Sequence, residues 1–338
     1  MKKCRRRKAI SRRYNAAAFR DAIVRRAVLL YNPESGRDRK RRTAQVEAAA
    51  SELRAAEVEA TAMPTEEPGS AGKQAREAVA AGYDTVIACG GDGTVHEVLQ
   101  GIVGSEAALG VIPLGTGNAL ANDLGLPRDP AAAARQLLGF VPRPTAIGRI
   151  GFRQSDGSRG SRYFIVVAGV GADAHMVYRL ALSFKQRAGM SAYYTEATRQ
   201  WLTYSYPEFS VELRNESGQM RRVTATQVLA VRVDYFGGLL RRLAPGASLG
   251  RDDLRLVIFQ TRSRLTYLRY MIGVLLGSTS PVPGVELVNS TEVRCSALPP
   301  SGAQIYAEAD GELLGTLPIE VSIGGTVRLL TQRERSGH

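Results

Sequence analysis

Apolar and polar positions divide the chain into two regions with different periodicities. From about residue 27 to 140, short apolar runs alternate with longer segments in which apolar residues recur every three or four positions. The short runs predict buried strands and the longer segments predict helices, one of which ends at Gly82. This alternation predicts βαβ units, and therefore a parallel sheet covered by helices on both faces.

After about residue 140 the chain reads as short strands, several of which alternate apolar and polar residues between turns such as Asp310-Gly311. Helical spacing interrupts this pattern near residues 175–203 and 264–277. The pattern predicts an antiparallel β-sandwich with helical insertions.

The predicted elements divide into three parts. We expect a basic tail over residues 1–26, an α/β domain over 27–145 and a β-sandwich domain over 146–332. The last segment of the sandwich domain is allowed, in this prediction, to pack with the first domain.

Positive charge is concentrated at the start of the chain. The 338 residues carry a net charge of +13, and residues 1–26 hold eleven Lys and Arg against one acid, Asp21. A solvated tail and attraction to an anionic membrane surface are both consistent with this charge. A nucleic-acid recognition motif does not accompany the charge, so no specific nucleic-acid partner is expected.

The remaining composition indicates a reducing cytoplasm. Three scattered cysteines form neither a disulfide framework nor a metal pair, and the first residues lack the apolar core of a secretory signal. The stretch from Leu265 to Val282 contains Arg269 and is too short and too polar to span a membrane. It predicts a helix on the body of the protein, with a membrane-touching face as the alternative.

Three polar, glycine-containing turns each follow a predicted strand. They are Asn32–Gly36, Gly90–Thr94 and Gly115–Asn118. Because the carboxyl ends of parallel strands meet at one edge of a sheet, we expect these turns to lie together. Glycine backbone and the N–H groups that begin a helix bind phosphate, so the sequence predicts a nucleotide phosphate site. A helix cap is the alternative role for Asp92.

Two carboxylates stand close together late in the chain. Asp310 and Glu312 are two residues apart, so in extended chain they share a face. Such a pair raises one of the two pKa values, as a general base working near neutral pH requires. A hairpin turn at Asp310-Gly311 is the alternative.

A fourth glycine pattern, later in the chain, is weaker evidence for a nucleotide site. Gly169, Gly171 and Ala174 match the G-x-G-x-x-A dinucleotide fingerprint. They lie in the strand-rich half with no βαβ unit following, so we interpret them as a tight turn that lines an acceptor cleft.

Five segments, taken in order, resemble the diacylglycerol kinase catalytic-domain family, which includes bacterial lipid kinases and the sphingosine and ceramide kinases. They are NPESG, GGDGTVHEVLQGI, PLGTGNALANDLGLP, AGVGADAHMV and DGE. The resemblance covers about residues 27–330, and the GTGN segment with its tail is its most specific part. It implies a nucleotide-binding α/β domain, a lipid-binding β-sandwich domain and transfer of phosphate from ATP, with Mg²⁺, to a lipid hydroxyl.

The resemblance also implies roles for individual residues. Glu312 is implied as the proton acceptor, with Asp310 as its partner, and Asp92 as a ligand of the Mg²⁺ on the phosphates. Asp252 or Asp253 matches a structural Mg²⁺ ligand of the family, and Asp252 is the one we choose. The match is weak because many bacterial relatives carry Asp-Asp-Gly where this chain has Asp-Asp-Leu, and a surface turn is the alternative. Many relatives have Asn at the position of His96. The implied nucleotide contacts are Asn32, Pro33, Glu34, Ser35, Gly36, Thr65, Gly90, Gly91, Asp92, Gly93, Thr94, Val95, His96, Thr116, Gly117 and Asn118.

The resemblance therefore predicts a cytoplasmic lipid kinase that works at the inner membrane surface on a diacylglycerol-like acceptor. Kinases of sphingosine- or ceramide-like lipids, NAD kinases, which share GGDGT, and an inactive nucleotide- or lipid-binding regulator are the alternatives. The oligomeric state is left open, with a dimer as one option.

Overall fold

The structure, a computed structural model, covers most of the chain outside its first residues. It describes residues 24–34, 39–154, 156–184, 199, 201–214, 218–237, 242–278, 280–299 and 303–333. Nearly all of the expected tail, and two of the expected nucleotide contacts, Ser35 and Gly36, lie outside the described residues.

The first region alternates strands and helices. The strands are short apolar runs, and both central ones are buried along their whole length. They are β1 (Arg26–Tyr31), β2 (Glu59–Pro64), β3 (Thr85–Gly90) and β4 (Ala108–Pro113). The helices between and after them are α1 (Arg39–Ala55), α2 (Ala71–Ala80), α3 (Asp92–Ile102), α4 (Ala119–Asp123) and α5 (Pro130–Leu137).

The second region is mostly strands. Its strands are β5 (Phe140–Arg153), β6 (Arg159–Phe164), β7 (Val167–Gly171), β8 (Phe209–Arg214), β9 (Met220–Ala225), β10 (Gln227–Val231), β11 (Leu254–Phe259), β12 (Val285–Ser290), β13 (Glu292–Ala297), β14 (Tyr306–Ala309), β15 (Glu312–Thr316) and β16 (Ile319–Gln332). Among the described residues, the strands are interrupted by α6 (Ala172–Phe184) and α7 (Arg264–Leu276).

The described strands form two sheets. Sheet A has the order β2-β1-β3-β4-β16-β13-β8-β9, with β5 paired to β16 and β6 paired to β5. Sheet B has the order β12-β11-β10-β7-β14-β15. The pairs among β1 to β4 are parallel and those within sheet B are antiparallel, so the expected fold class is confirmed.

Sheet A crosses between the two regions through β16. This strand pairs in parallel with β4 and antiparallel with β5 and β13. The boundary expected at residues 145 and 146 falls inside β5, which pairs with β16 from Phe140 to Gly151. One sheet therefore belongs to both regions.

Apolar burial among the described residues occurs in three clusters. One surrounds β1, β3 and β4, the second lies between sheets A and B, and the third lies between sheet B and α7. Because these layers are closely packed, the loops at the strand ends are held in fixed positions.

Candidate active site

Two of the glycine turns lie against each other at the carboxyl edge of sheet A. The strands before them, β3 and β4, are parallel neighbours. The Leu114 N–H donates to the Gly90 carbonyl over 2.9 Å. A Cβ on Gly115 would lie 2.5 Å from the Cα of Gly91, closer than carbon atoms approach without a bond. Glycine at position 115 therefore lets the two turns touch.

Two further segments reach the same edge because β1 pairs with both β2 and β3. After β1, the Asn32 side-chain oxygen accepts from the Glu34 N–H over 2.8 Å, which fixes the turn around Pro33. After β2, the Thr65 N–H donates to the carbonyl of Tyr31 over 2.8 Å. The described nucleotide-contact candidates thus lie around one edge of the sheet.

Asp92 bonds to the neighbouring turn. Gly91 is the N-cap of α3, and the Asp92 side chain does not cap that helix. Its Oδ1 accepts from the N–H of Ala119, the first residue of α4, over 2.8 Å. Burial raises the pKa of Asp92, the Ala119 N–H opposes this, and the negative charge of Asp310 raises the pKa further. The cap considered for Asp92 therefore belongs to α4.

The rest of the two turns is arranged around this contact. The Asn118 backbone is left-handed, with φ of 55°, and its side chain bonds both backbone groups of Gly115 at 2.9 and 2.7 Å. Thr116 and Gly117 remain exposed between these anchors. In the first turn Thr94 packs against Gly90, and a Cβ on Gly90 would lie 2.2 Å from its Oγ1. Gly93 is exposed and Val95 is buried.

Asp310 stands in a hairpin turn between β14 and β15. Asp310 and Gly311 have φ of 48° and 87°, so the extended geometry expected for Asp310 and Glu312 was wrong. The Asp310 carboxylate is buried and accepts three backbone N–H groups, each at 3.0 Å, from Ile165, Val166 and Val167. This carboxylate fixes the hairpin against the start of β7.

His96 lies between the two carboxylates. Its Nδ1 is 3.4 Å from Asp310 Oδ2, and its Nε2 is 3.3 Å from Glu312 Oε2. Burial lowers the pKa of His96, but the hydrogen bond and charge of Asp310, with the charge of Glu312, outweigh burial and raise it above the ordinary value. The His96 side chain is 1% exposed and that of Glu312 is 41% exposed. Glu312 is therefore the member of the group that faces solvent.

A second pair of acids lies beside this group and was missed in the sequence. Glu308 is buried in β14, and its Oε2 accepts from the Gly311 N–H over 2.8 Å. A Cβ on Gly169 would lie 2.6 Å from Asp173 Oδ2 and 2.8 Å from Glu308 Oε1. Burial raises the pKa of Glu308 well above its usual value, and the charge of Asp173 raises it further. The lack of a side chain at Gly169 makes room for these two carboxyl groups. The strand that carries Gly169, β7, is antiparallel to both of its neighbours, so it is not part of a βαβ unit.

Two residues after the GTGN turn connect the two regions of the chain. The Asn122 side-chain nitrogen donates to the carbonyls of Gly117 and Phe236, both at 2.8 Å. Asp123 Oδ1 accepts from the N–H groups of Asp234 and Tyr235 at 3.0 and 2.9 Å. These contacts hold the exposed turn against the loop after β10. Asn122 and Asp123 belong to the PLGTGNALANDLGLP segment, but no role was predicted for either of them from the sequence.

Comparison with known families assigns both regions. Residues 26–150 match the family model described as the diacylglycerol kinase catalytic domain. Residues 165–331 match the model described as the YegS C-terminal NAD kinase beta sandwich-like domain. Residues 26–150 form a diacylglycerol kinase catalytic domain. The resemblance inferred from the sequence is therefore confirmed, and a kinase domain of this family implies a nucleotide and a lipid as substrates.

Full-length relatives carry the same name. The diacylglycerol kinase of Bacillus subtilis (strain 168) is 28% identical over 318 residues, which are 93% of this chain and 98% of the relative. The diacylglycerol kinase of Staphylococcus aureus (strain bovine RF122 / ET3-1) is 29% identical over 298 residues, 87% of this chain and 88% of the relative. A diacylglycerol kinase structure from Bacillus anthracis str. Sterne matches with a TM-score of 0.65 at 20% identity, covering 91% of this chain and 97% of that one, and shows the shared fold.

The kinase family implies Mg²⁺ on the nucleotide, and the residues present fit that ion. The described residues hold no group of three or more His, Cys, Asp or Glu side chains able to bind a metal by themselves. Mg²⁺ at kinase sites is held by one or two carboxylates together with substrate phosphates. The carboxylate of Asp92, beside exposed Gly117, is placed for such an ion.

The loop before β11 does not fit the structural Mg²⁺ expected at Asp252. The Asp252 side chain is exposed, and neighbouring Asp253 is engaged in a two-point ion pair with Arg251. The backbone carbonyl of Asp253 accepts from the buried guanidinium of Arg232. A cation already bonds the oxygen that a metal would need.

Two cavities flank Tyr306 at the open end of the β14–β15 hairpin. One, of about 420 Å³, is lined by residues that include His175 and Tyr204, whose rings stack 4.5 Å apart. The other, of about 480 Å³, includes Leu313, the residue after Glu312. Within the part of the chain that is described, no helix combines the length and apolarity needed to cross a membrane.

Proposed function

We propose that this kinase transfers the γ-phosphate of ATP to the free hydroxyl of diacylglycerol or a close relative, forming a phosphatidic-acid-type lipid. The family and the names of the full-length relatives support this substrate class. The observation that carries the reaction is the position of Glu312. It is a solvent-facing carboxylate that lies beside buried His96. His96 is on α3, the helix that begins in the Gly90–Thr94 turn.

The proposed reaction takes place between the glycine turns of sheet A and the β14–β15 hairpin of sheet B. ATP phosphates lie on the exposed N–H groups around Gly91, Gly93 and Gly117. The lipid hydroxyl oxygen attacks the γ-phosphorus while its proton passes to the carboxylate of Glu312. The bond from the γ-phosphorus to the bridging oxygen breaks, and its electrons leave with ADP.

The other acids support this step. Mg²⁺, when bound with ATP, neutralises charge on the phosphates. We assign the second carboxylate oxygen of Asp92, Oδ2, to that ion, because Oδ1 accepts from Ala119 and Oδ2 lies beside Gly117. Asp310 positions His96, and His96 in turn holds Glu312 near the acceptor. The protein acts from the cytoplasm at the inner membrane surface, where its acceptor lipid is found.

The test is phosphate transfer from radiolabelled ATP to a panel of diacylglycerol, sphingosine, ceramide and NAD. We expect labelled phosphatidic acid, and we expect Glu312→Gln to lower kcat by about 100-fold or more, since general bases contribute 10²–10⁴-fold. Glu320→Gln, which changes an exposed glutamate on β16, is the matched control. Transfer to NAD but to no lipid, or near-normal turnover of Glu312→Gln, would contradict the proposal.

A further inference from the structure

The helix α7 has one face packed on the protein. Tyr267, Tyr270 and Val274 are buried against sheet B. The Tyr267 ring stacks on Phe259 with centroids 4.2 Å apart, and the Tyr270 hydroxyl donates to the Leu243 carbonyl over 2.6 Å. The inner face is therefore fixed, and the helix cannot rotate to bury its other side.

The outer face of α7 is also apolar. Nine large apolar side chains are markedly exposed among the described residues, and five of them lie on this helix. Their spacing of three and four positions puts them on one stripe, which we call the α7 stripe. The stripe consists of Leu265, Leu268, Ile272, Leu275 and Leu276, which are 40–79% exposed. Contiguous exposed apolar surface of this kind marks an interaction site.

Charge around the stripe identifies its partner. The sequence of α7 contains Arg264 and Arg269 and no acidic residue. Arg269 is exposed between two members of the stripe. A second copy docked on the same face would bring cation against cation, whereas an anionic bilayer complements both the charge and the apolar side chains. The helix has 13 residues, about 20 Å, and so lies along a membrane instead of crossing it.

We propose that the α7 stripe inserts into the surface of an anionic bilayer and holds the kinase where its acceptor lipid is found. The reason for docking rests on the proposed function. Arg264 donates to the carbonyls of Trp201 and Tyr204 at 3.1 and 3.2 Å. Tyr204 lines the cavity with His175, so docking through α7 fixes that cavity close to the membrane surface.

The test compares native protein with the double variant Leu268→Ser/Ile272→Ser and with Met220→Ser, an exposed apolar control on β9. Binding to vesicles of phosphatidylcholine with phosphatidylglycerol is measured by sedimentation without ATP. We expect the double variant to bind at least about tenfold more weakly, with the control unchanged. Its turnover of a soluble short-chain diacylglycerol is expected to stay within about twofold of native.

Two results would overturn this proposal. One is native-like vesicle binding by the double variant. The other is a native dimer in analytical ultracentrifugation that the double substitution dissociates. Vesicle sedimentation needs no phosphate transfer. It therefore tests membrane docking even if the lipid panel gives no product, and either proposal can be contradicted without the other.

A different observation concerns the loop before β11. Arg232 follows β10 and is fully buried. Its guanidinium donates to the carbonyls of Asp253, Ala146 and Leu249, with the last two at 2.7 and 3.4 Å. These carbonyls come from β5 and from the loop before β11, so a single cation joins segments of both sheets.

We infer that Arg232 replaces a structural metal ion in this chain. A divalent ion holds such a loop through backbone carbonyls and carboxylates. Here the guanidinium bonds the carbonyls and Arg251 engages the Asp253 carboxylate, while the Asp252 side chain is exposed. Arginine keeps its charge and holds fixed donors, so the loop needs no metal to fold.

The test is thermal unfolding without nucleotide, in EDTA and in millimolar Mg²⁺. We expect the native Tm to agree within about 1 °C between the two conditions, since a site that binds no ion gains no stability from it. We expect Arg232→Met to lower the Tm by more than about 6 °C, because it removes a buried charge and leaves three backbone carbonyls without their hydrogen-bond donor. Exposed Arg251→Met is the control, with a much smaller loss.

A saturable rise of several degrees in native Tm with Mg²⁺ would overturn the inference. A near-native Tm for Arg232→Met would overturn it as well. If Arg232→Met does not yield folded protein, the metal response of the native protein still decides the question.

Discussion

At the residue scale, His96 determines how the two carboxylates of the hairpin interact. A buried imidazole between Asp310 and Glu312 links an acid that holds the fold to one that faces the cleft. An asparagine at this position would have no titratable group, so the imidazole adds a proton-binding site between the two carboxylates. The raised pKa of His96 connects the site to pH.

The histidine therefore makes stability depend on pH. A raised folded-state pKa stabilises fully below the unfolded value of about 6.5, and the benefit is lost as pH rises through the folded value. We expect His96→Asn to lower the Tm by roughly 3 °C more at pH 6 than at pH 9, measured by thermal scans of both proteins. A deficit that is the same at both pH values would contradict this.

Glu308 has the opposite chemistry, because its neutral form is the one favoured. Its raised pKa stabilises fully below about 4.3 and this benefit is lost as pH rises toward the folded value. Glutamine is neutral at every pH, so Glu308→Gln is expected to raise the Tm by a few degrees at pH 8 and to give no gain at pH 4. Exposed Glu67→Gln serves as the control, and an equal response of both variants would count against the assignment.

At the element scale, the contact between the two glycine turns organises the carboxyl edge of sheet A, where we propose that the nucleotide binds. The turns come from segments about 25 residues apart and are joined by a backbone hydrogen bond and by Asp92. A side chain on Gly115 meets the Cα of Gly91, whereas one on Gly93 meets nothing within 4 Å.

A matched pair of alanine substitutions tests this contact. Gly115→Ala is expected to destabilise by about 1–3 kcal/mol, since overpacking forces the turns apart. Gly93→Ala is expected to change stability by less than about 0.5 kcal/mol. Urea unfolding of both variants measures the difference, and equal losses would show that the turns tolerate separation.

The sequence predicted that the glycine turns meet at one edge of the sheet better than it predicted the bonds between them. Strand ends of a parallel sheet must converge, so the turns at Gly90 and Gly115 could be placed together from periodicity. That Asp92 bonds Ala119 depends on how two loops face each other, which no local pattern encodes. Asp310 was placed on an extended face although its Asp-Gly dipeptide also predicts the hairpin that forms. Glu308 was missed because its partner, Asp173, lies 135 positions earlier.

At the scale of the whole molecule, sheet A unites regions that the pattern of elements separates. The strand β16 joins β4 of the parallel region to β13 of the antiparallel region, and Asn122 and Asp123 bond the loop after β10. Sharing a central strand makes the two cores depend on each other, because neither keeps its hydrogen-bonded edge if β16 leaves.

We therefore expect the protein to unfold in one cooperative transition. Scanning calorimetry should give a calorimetric enthalpy equal to the van't Hoff enthalpy. Two resolved transitions, or an enthalpy ratio near two, would show that the regions unfold independently.

The place of β16 also has a consequence during synthesis. The ribosome makes β4 by residue 113 but reaches the start of β16 only at residue 319. At 5–20 residues per second, this gap lasts roughly 10–40 s. Throughout that interval the nascent chain presents the bare edge of β4, a template for pairing with another chain. The growing polypeptide thus depends on chaperones or on speed until its final strand arrives to close the sheet.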